Sequence, residues 1–402
     1  MLRVVTKIVI EQQTPPEYPT VRNNKFTIDF VNEYQGESSW ENLTDTFEVT
    51  LPKSVYVLDK YGNKYNLFGT NKNIGGGTDI PPLFLRGDKI TVDAGYWHYT
   101  ETGVETLSMT GTGTIPHLFE GFITQVKSDT PFTLECEDYF YTLKQVPSPK
   151  KNWKGVSIDD MIRQLVKGTG ITVSQKSKIS IGWTAGHYST TGESVATVLS
   201  SLRSQCHLEC YMRGKELRVG YPIYYEDEAR QLDFCFNGAK GNIIQHDLTY
   251  QRKDDIVLSA VASSTMVTID GVDEDGTPKE KRKQIELLIV LKNGRFTVID
   301  IEKGESVPPN TEGQRRDFPF TDNTPRDKMI MISKERLMKY YYDGFSGSFT
   351  TFGLPFVKHG DTVNLTDDIM PERNGRYKVK QVGYNGGVNG LRQTISLDYK
   401  LL

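Results

Sequence analysis

Histidine, cysteine and neighbouring carboxylates are the side chains through which this chain could do chemistry, and their spacing assembles no site. Cys206-His207-Leu208-Glu209-Cys210 crowds two thiols, an imidazole and a carboxylate together. A structural zinc site needs a second ligand pair at comparable spacing, and none lies nearby. Cys235 stands alone in an alternating run, so the cysteines read as buried thiols rather than as ligands or a disulfide framework. Histidines at 98, 117, 187, 207, 246 and 359 show no zincin spacing. Asp159-Asp160 and Asp367-Asp368 could pair as acid and base, but they fall at a helix start and in a turn, where capping accounts for them. A glycosidase-type pair brought together only by folding stays open. Gly111-Thr112-Gly113 lacks the lysine and following helix of a phosphate loop, and no Gly-x-Ser-x-Gly elbow occurs. The sequence therefore predicts no catalytic, cofactor-binding or metal-binding residue.

Arg86-Gly87-Asp88 spells an integrin-type tripeptide, yet His359-Gly360-Asp361 stands at the corresponding place in a second segment. Glycine supplies an unusual dihedral and aspartate bonds nearby backbone, so the pair predicts a repeated turn. The repeat extends further. Gly87-Asp88-Lys89-Ile90-Thr91-Val92, Gly121-Phe122-Ile123-Thr124-Gln125-Val126 and Phe132 to Tyr139 form one copy. Gly360-Asp361-Thr362-Val363-Asn364-Leu365, Gly375 to Val382 and Gln393 to Tyr399 form the other. Gly87, Asp88, Gly121, Gly360, Asp361 and Gly375 are the expected structural turn positions of the two units. Two related β-modules in one chain let three copies present six modules.

The elements that carry these residues change type along the chain. Residues 1–150 alternate apolar with polar, as in Phe26-Thr27-Ile28-Asp29-Phe30 and Phe47-Glu48-Val49-Thr50-Leu51, the signature of half-buried strands. Pro147-Ser148-Pro149 reads as a linker into an α+β insertion over 151–225. Its helices are predicted near 157–167, capped by Ser157 with Asp160, and near 194–203. Residues 226–402 return to β, with long strands around Ile256–Val261 and Gln284–Val290 and a helix near 325–343. The predicted fold is mainly β: two related small barrels with inserted α+β subdomains.

Bulk properties narrow the function classes. The 402 residues carry a formal net charge of -3, which provides no basic field for nucleic acid or anionic lipid. The apolar run Leu287–Leu291 is far too short to span a bilayer. The amino terminus shows no cleavable apolar segment, so synthesis and folding in the cytosol are expected.

The order of parts resembles the baseplate hub proteins of phage tails and contractile injection machines, including the late control protein D group and the hub portion of VgrG spikes. Leu85 to Ile90, Leu118 to Ile123 and Leu134 to Asp138 resemble the first tube-like barrel of these hubs. Glu193 to Leu202 is similar to their intervening domains, and Pro371 to Val379 with Ile395 to Tyr399 to their second barrel. The resemblance implies a homotrimer whose six barrels form a pseudo-sixfold ring between a hexameric tail tube and a trimeric central spike. It implies contacts with other baseplate components, a place in the virion tail after assembly in the host cytoplasm, and no cofactor, enzymatic activity, nucleic-acid recognition or membrane insertion. Contractile and non-contractile tails both fit. The chain ends at Leu402 without a needle or lysozyme-like extension, so wall cleavage is expected of another polypeptide. Two other readings compete. Tyr96-Trp97-His98-Tyr99 and Tyr340-Tyr341-Tyr342, if exposed, would suit a receptor- or carbohydrate-binding tail tip. A hidden acid pair would suit a peptidoglycan-degrading tail enzyme.

Overall fold

Strand alternation in the first third places Phe26, Ile28, Phe47, Val49 and Leu51 in one core, because successive side chains leave a strand on opposite faces. The computed structural model describes residues 2–14, 22–52, 56–58, 61, 64–66, 83–100, 103–107, 115–127, 131–175, 177, 184–206, 208–220, 230–272, 278–305, 313–320 and 324–401. Gly111–Gly113 and His207 lie outside these residues.

The first module comprises β1 (Leu2–Glu11), β2 (Lys25–Ile28), β3 (Glu33–Ser39), β4 (Thr46–Leu51), the small pair β5 (Tyr56–Leu58) and β6 (Lys64–Asn66), β7 (Lys89–Thr100), β8 (Gly103–Leu107), β9 (His117–Lys127) and β10 (Phe132–Glu137). A short helix, α1 (Phe140–Gln145), follows where the sequence showed only a strand running into a linker. Asp138 Oδ1 accepts the Phe140 N–H at 2.9 Å just ahead of it.

The insertion runs β11 (Lys151–Ser157), α2 (Ile158–Val166), β12 (Thr172–Val173), β13 (Thr184–Thr190), α3 (Val195–Cys206), β14 (Glu209–Arg213) and β15 (Glu216–Gly220). Ser157 Oγ accepts the Asp160 N–H at 3.1 Å, which satisfies one orphan donor at the start of α2. Met161, Leu165, Val198, Leu199 and Trp153 fill a core separate from that of the first module.

The remaining elements are β16 (Gln231–Cys235), β17 (Ile243–Gln251), β18 (Leu258–Val272), β19 (Pro278–Lys292), β20 (Arg295–Asp300), β21 (Gln314–Pro319), α4 (Arg326–Met338), β22 (Gly344–Phe352), β23 (Thr362–Thr366), β24 (Gly375–Gly387) and β25 (Gly390–Leu401). β18 to β21 make a four-stranded sheet of their own inside the 226–402 span. Met329, Ile332 and Leu337 of α4 close its core with Leu258, Leu287 and Ile289. Pro325 stands one position before α4 rather than inside it, and the helix stops at Met338.

The other second-module strands join the first module in one 14-stranded sheet. Its main path runs β17-β22-β25-β24-β3-β4-β10-β9-β7-β1-β2, with β8, β16 and β23 as side branches. A single core runs beneath both modules, from Ile8 and Phe26 to Tyr377 and Ile395. Each buried aliphatic or phenyl side chain there contributes roughly 1.5–3 kcal/mol. The path has two ends, β17 and β2, and no ladder among the described residues joins them. No helix among the described residues is long and apolar enough to cross a membrane.

Candidate functional site

The two glycine–aspartate turns make the same hydrogen bonds. In the first, Gly87 N–H donates to Ile123 O (2.8 Å), Ile123 N–H to Asp88 O (2.9 Å) and Asp88 N–H to Leu85 O (3.1 Å). In the second, Gly360 N–H donates to Val379 O (2.7 Å), Val379 N–H to Asp361 O (3.0 Å) and Asp361 N–H to Lys358 O (3.1 Å). Gly87 and Gly360 sit at φ +93° and +81°, in the region that favours glycine. Each aspartate Oδ2 accepts the amide three residues back, Leu85 or Lys358, at 2.8 Å.

An arginine clasps each turn, and sequence reading missed both. Arg22 meets both Asp88 oxygens at 2.8 Å and donates to Leu83 O at 3.1 Å. Arg230 Nη2 meets Asp361 Oδ2 at 2.5 Å and donates to Phe356 O at 3.0 Å. The two carbonyls lie equally far ahead of their aspartates, so the clasp is duplicated as a unit. Bidentate pairing fixes direction as well as charge. Each arginine is far from its aspartate in the sequence and carries no local motif.

Gly121 and Gly375 are not equivalent. Ile90 faces Gly121 and Val363 faces Tyr377, so the ladders equate Gly121 with Tyr377 and Phe119 with Gly375. Gly121 lies inside β9, where a Cβ would stand 2.0 Å from Glu137 O. Close backbone approach, not a turn, requires glycine there. Gly375 opens β24. The shared feature of these strands is a bulge, since the ladders to β10 and β25 both skip a residue, at Thr124 and at Lys380.

The other flagged residues take structural places. Arg86 lies over the Tyr141 ring. Asp159 pairs with Arg163, and Asp367 accepts the Ile369 and Met370 amides in a turn. Burial pushes the Cys210 thiol up to about 12, so it is no nucleophile at neutral pH. Among the described residues no group of three or more His, Cys, Asp or Glu is placed to hold a metal. Tyr96 and Tyr342 are buried, with hydroxyls bonded to Leu391 O (3.1 Å) and Phe345 O (3.0 Å). That removes two of the rings on which a carbohydrate platform was read.

One buried polar cluster sits where β3 meets β24. Ser38 Oγ donates to Asp45 Oδ2 at 2.7 Å and lies 2.6 Å from His359 Nδ1. With its proton on Asp45, Ser38 accepts from Nδ1–H of the histidine. His359 is fully buried, packed edge-on against Tyr211, and its Nε2 has no hydrogen-bond partner. Burial and the neighbouring Arg213, Lys358 and Arg218 charges hold its pKa well below 6.5. Asp138 accepts from Asp45 N–H, Phe140 N–H and Thr44, yet burial and the Asp45 charge push its carboxyl up to about 8. Serine, histidine and aspartate are all present, but a nucleophilic triad has the histidine in the middle. Here the serine bridges the other two, so the cluster locks a joint.

No family model matches the sequence, and no curated protein matches it. Solved structures do. A tail protein from Neisseria meningitidis MC58 aligns over 99% of this chain and 96% of its own, with a TM-score of 0.55 at 13% identity. The 43 kDa tail protein of prophage MuSo2 from Shewanella oneidensis aligns over 98% of both chains, with a TM-score of 0.53 at 12% identity. The chain has the phage tail-protein fold. The sequence resemblance to tail hubs and the three-dimensional likeness agree.

In this tail-protein fold the open positions are strand edges. β17 ends the large sheet and, among the described residues, pairs only with β22. A groove of about 340 Å³ lies beside it, lined by Phe236, Ile243, Leu248, Tyr250 and Phe345 among others. Ile244 is 44% exposed at its rim. Among the described residues the distal half of β9, Thr124 to Lys127, pairs with β10 on one side only.

Proposed function

We propose that this chain is the structural hub of a phage or prophage tail baseplate. Three copies form a pseudo-sixfold ring that adapts a hexameric tail tube to a trimeric central spike. The observation that carries the reading is the duplicated arginine–aspartate clasp and bulged ladder. The two halves of the chain are one module used twice, and the tail-protein fold supports the setting. Closed rings are the common form of symmetric assembly, and an internal duplication lets a threefold object offer six near-equivalent faces.

The reading makes the protein a non-enzymatic part of the virion tail, bound to itself, to tube and spike proteins and to other baseplate components. Sedimentation equilibrium of the purified chain tests it. Three copies per particle are expected, with six-lobed rings in projection by electron microscopy. A single-copy mass at every concentration, with and without tube and spike proteins, refutes it.

A further inference from the structure

The chain contains a finished joint between its two modules, and the duplication says where the unfinished one lies. β10 and β25 occupy equivalent places, since Leu134 faces Val126 of β9 as Ile395 faces Val382 of β24. Across their other edges, Leu134 faces Val49 of β4 and Ile395 faces Phe349 of β22. Val49 in turn faces Tyr34 of β3, and Phe349 faces His246 of β17. β17 is therefore the second module's β3.

The outer edge of β3 is used. It pairs with the distal half of β24, with Ser39 opposite Gln381, Ser38 opposite Val382 and Glu37 opposite Gly383. That contact leaves Tyr34 only 1% exposed, whereas its equivalent His246 is exposed. The distal half of β9, equivalent to that of β24, has no strand on its outer side among the described residues, and Gln125 and Lys127 are exposed. Other edges stand free among the described residues, at β2, β8 and β16, but the duplication matches these two to each other.

We infer that neighbouring copies of this chain join by antiparallel pairing of β17 from one copy with the distal half of β9 from the next. The register is Gln251 opposite Gln125, Tyr250 opposite Val126 and Thr249 opposite Lys127. The inference rests on the ring reading above and names the surface that closes it. β17 carries neither the lysine nor the proline with which solitary sheets blunt an edge. The groove beside it, where Ile243, Leu248 and Tyr250 lie among Gln245, His246 and Arg373, gives an incoming module side chains to meet besides backbone hydrogen bonds.

The test is a chain carrying Lys127→Cys and Thr249→Cys, treated with a short bismaleimide. Facing Cα atoms in an antiparallel pair lie about 4.5–5.5 Å apart, within its reach. The double variant is expected to shift from one-chain to two- and three-chain bands on a denaturing gel, while each single variant and the unmodified chain do not. Circular dichroism checks that the variants fold. Gln125→Cys with Gln251→Cys reads the same contact should the first pair fail that check. A three-copy mass without such bands overturns this interface and leaves the hub reading standing. A one-copy mass at all concentrations, with and without tube and spike proteins, overturns both.

Discussion

Asp88 and Asp361 do one job in two different dielectric settings. The Arg22 and Asp88 side chains are 1% and 0% exposed, whereas those of Arg230 and Asp361 are 39% and 10% exposed. Removing one partner of a buried pair strands the other charge, which costs about 3–5 kcal/mol. Asp88→Ala should lower the urea-unfolding free energy by that order, and Asp361→Ala by about 1–2 kcal/mol, because water can solvate Arg230. His359 makes a second prediction at this scale. Its neutral ring binds no proton in the fold, whereas the unfolded chain binds one below about pH 6.5. The stability owed to the neutral ring is therefore lost as pH falls through that value. Asp138 acts with the opposite sign, since its raised pKa makes the fold lose stability as pH rises toward about 8. Comparison isolates the ring: between pH 7 and 5 His359→Gln should lose less melting temperature than the parent chain. The glycine–aspartate turns were legible because both residues are adjacent in each copy. Their arginines, 66 and 131 positions away, were not, since nothing local distinguishes a clasping arginine from a solvated one.

Among the elements, the joint of β3 with β24 depends on small residues. Gly386 faces Tyr34, and a Cβ at Gly386 would stand 2.2 Å from the Tyr34 ring. That ring stacks on Phe47, which stacks on Phe119, so it cannot retreat. Gly386→Val should destabilise the chain by roughly 1–3 kcal/mol through overpacking, seen as a lower calorimetric melting temperature. Gly383→Ala is the control, since its Cβ would meet only Thr394 at 4.0 Å. Alternation along residues 26–30 and 47–51 made the β class readable, because a half-buried strand repeats every two residues. The helix α1 escaped, being six residues long and following directly on a strand. The separate sheet of β18 to β21 escaped too, because alternation reports that a strand is half buried and not which sheet it joins.

For the whole molecule, the two related units were visible in the sequence, but not the way they meet. A repeat reveals likeness between segments, whereas the shared sheet depends on edge pairing that no local pattern encodes. That pairing bears on how the chain comes into being. Ser39 bonds to Lys380 across 341 positions, and the strands they belong to form the hinge of the entire sheet. During translation β3 must wait with an uncovered flank until the 341 positions that separate Ser39 from Lys380 have been made. Contacts so distant in sequence are slow to form, and exposed flanks invite misassociation meanwhile. Nascent chains crowded on one message are therefore at risk of trading halves, each lending its late strand to a sister's early one.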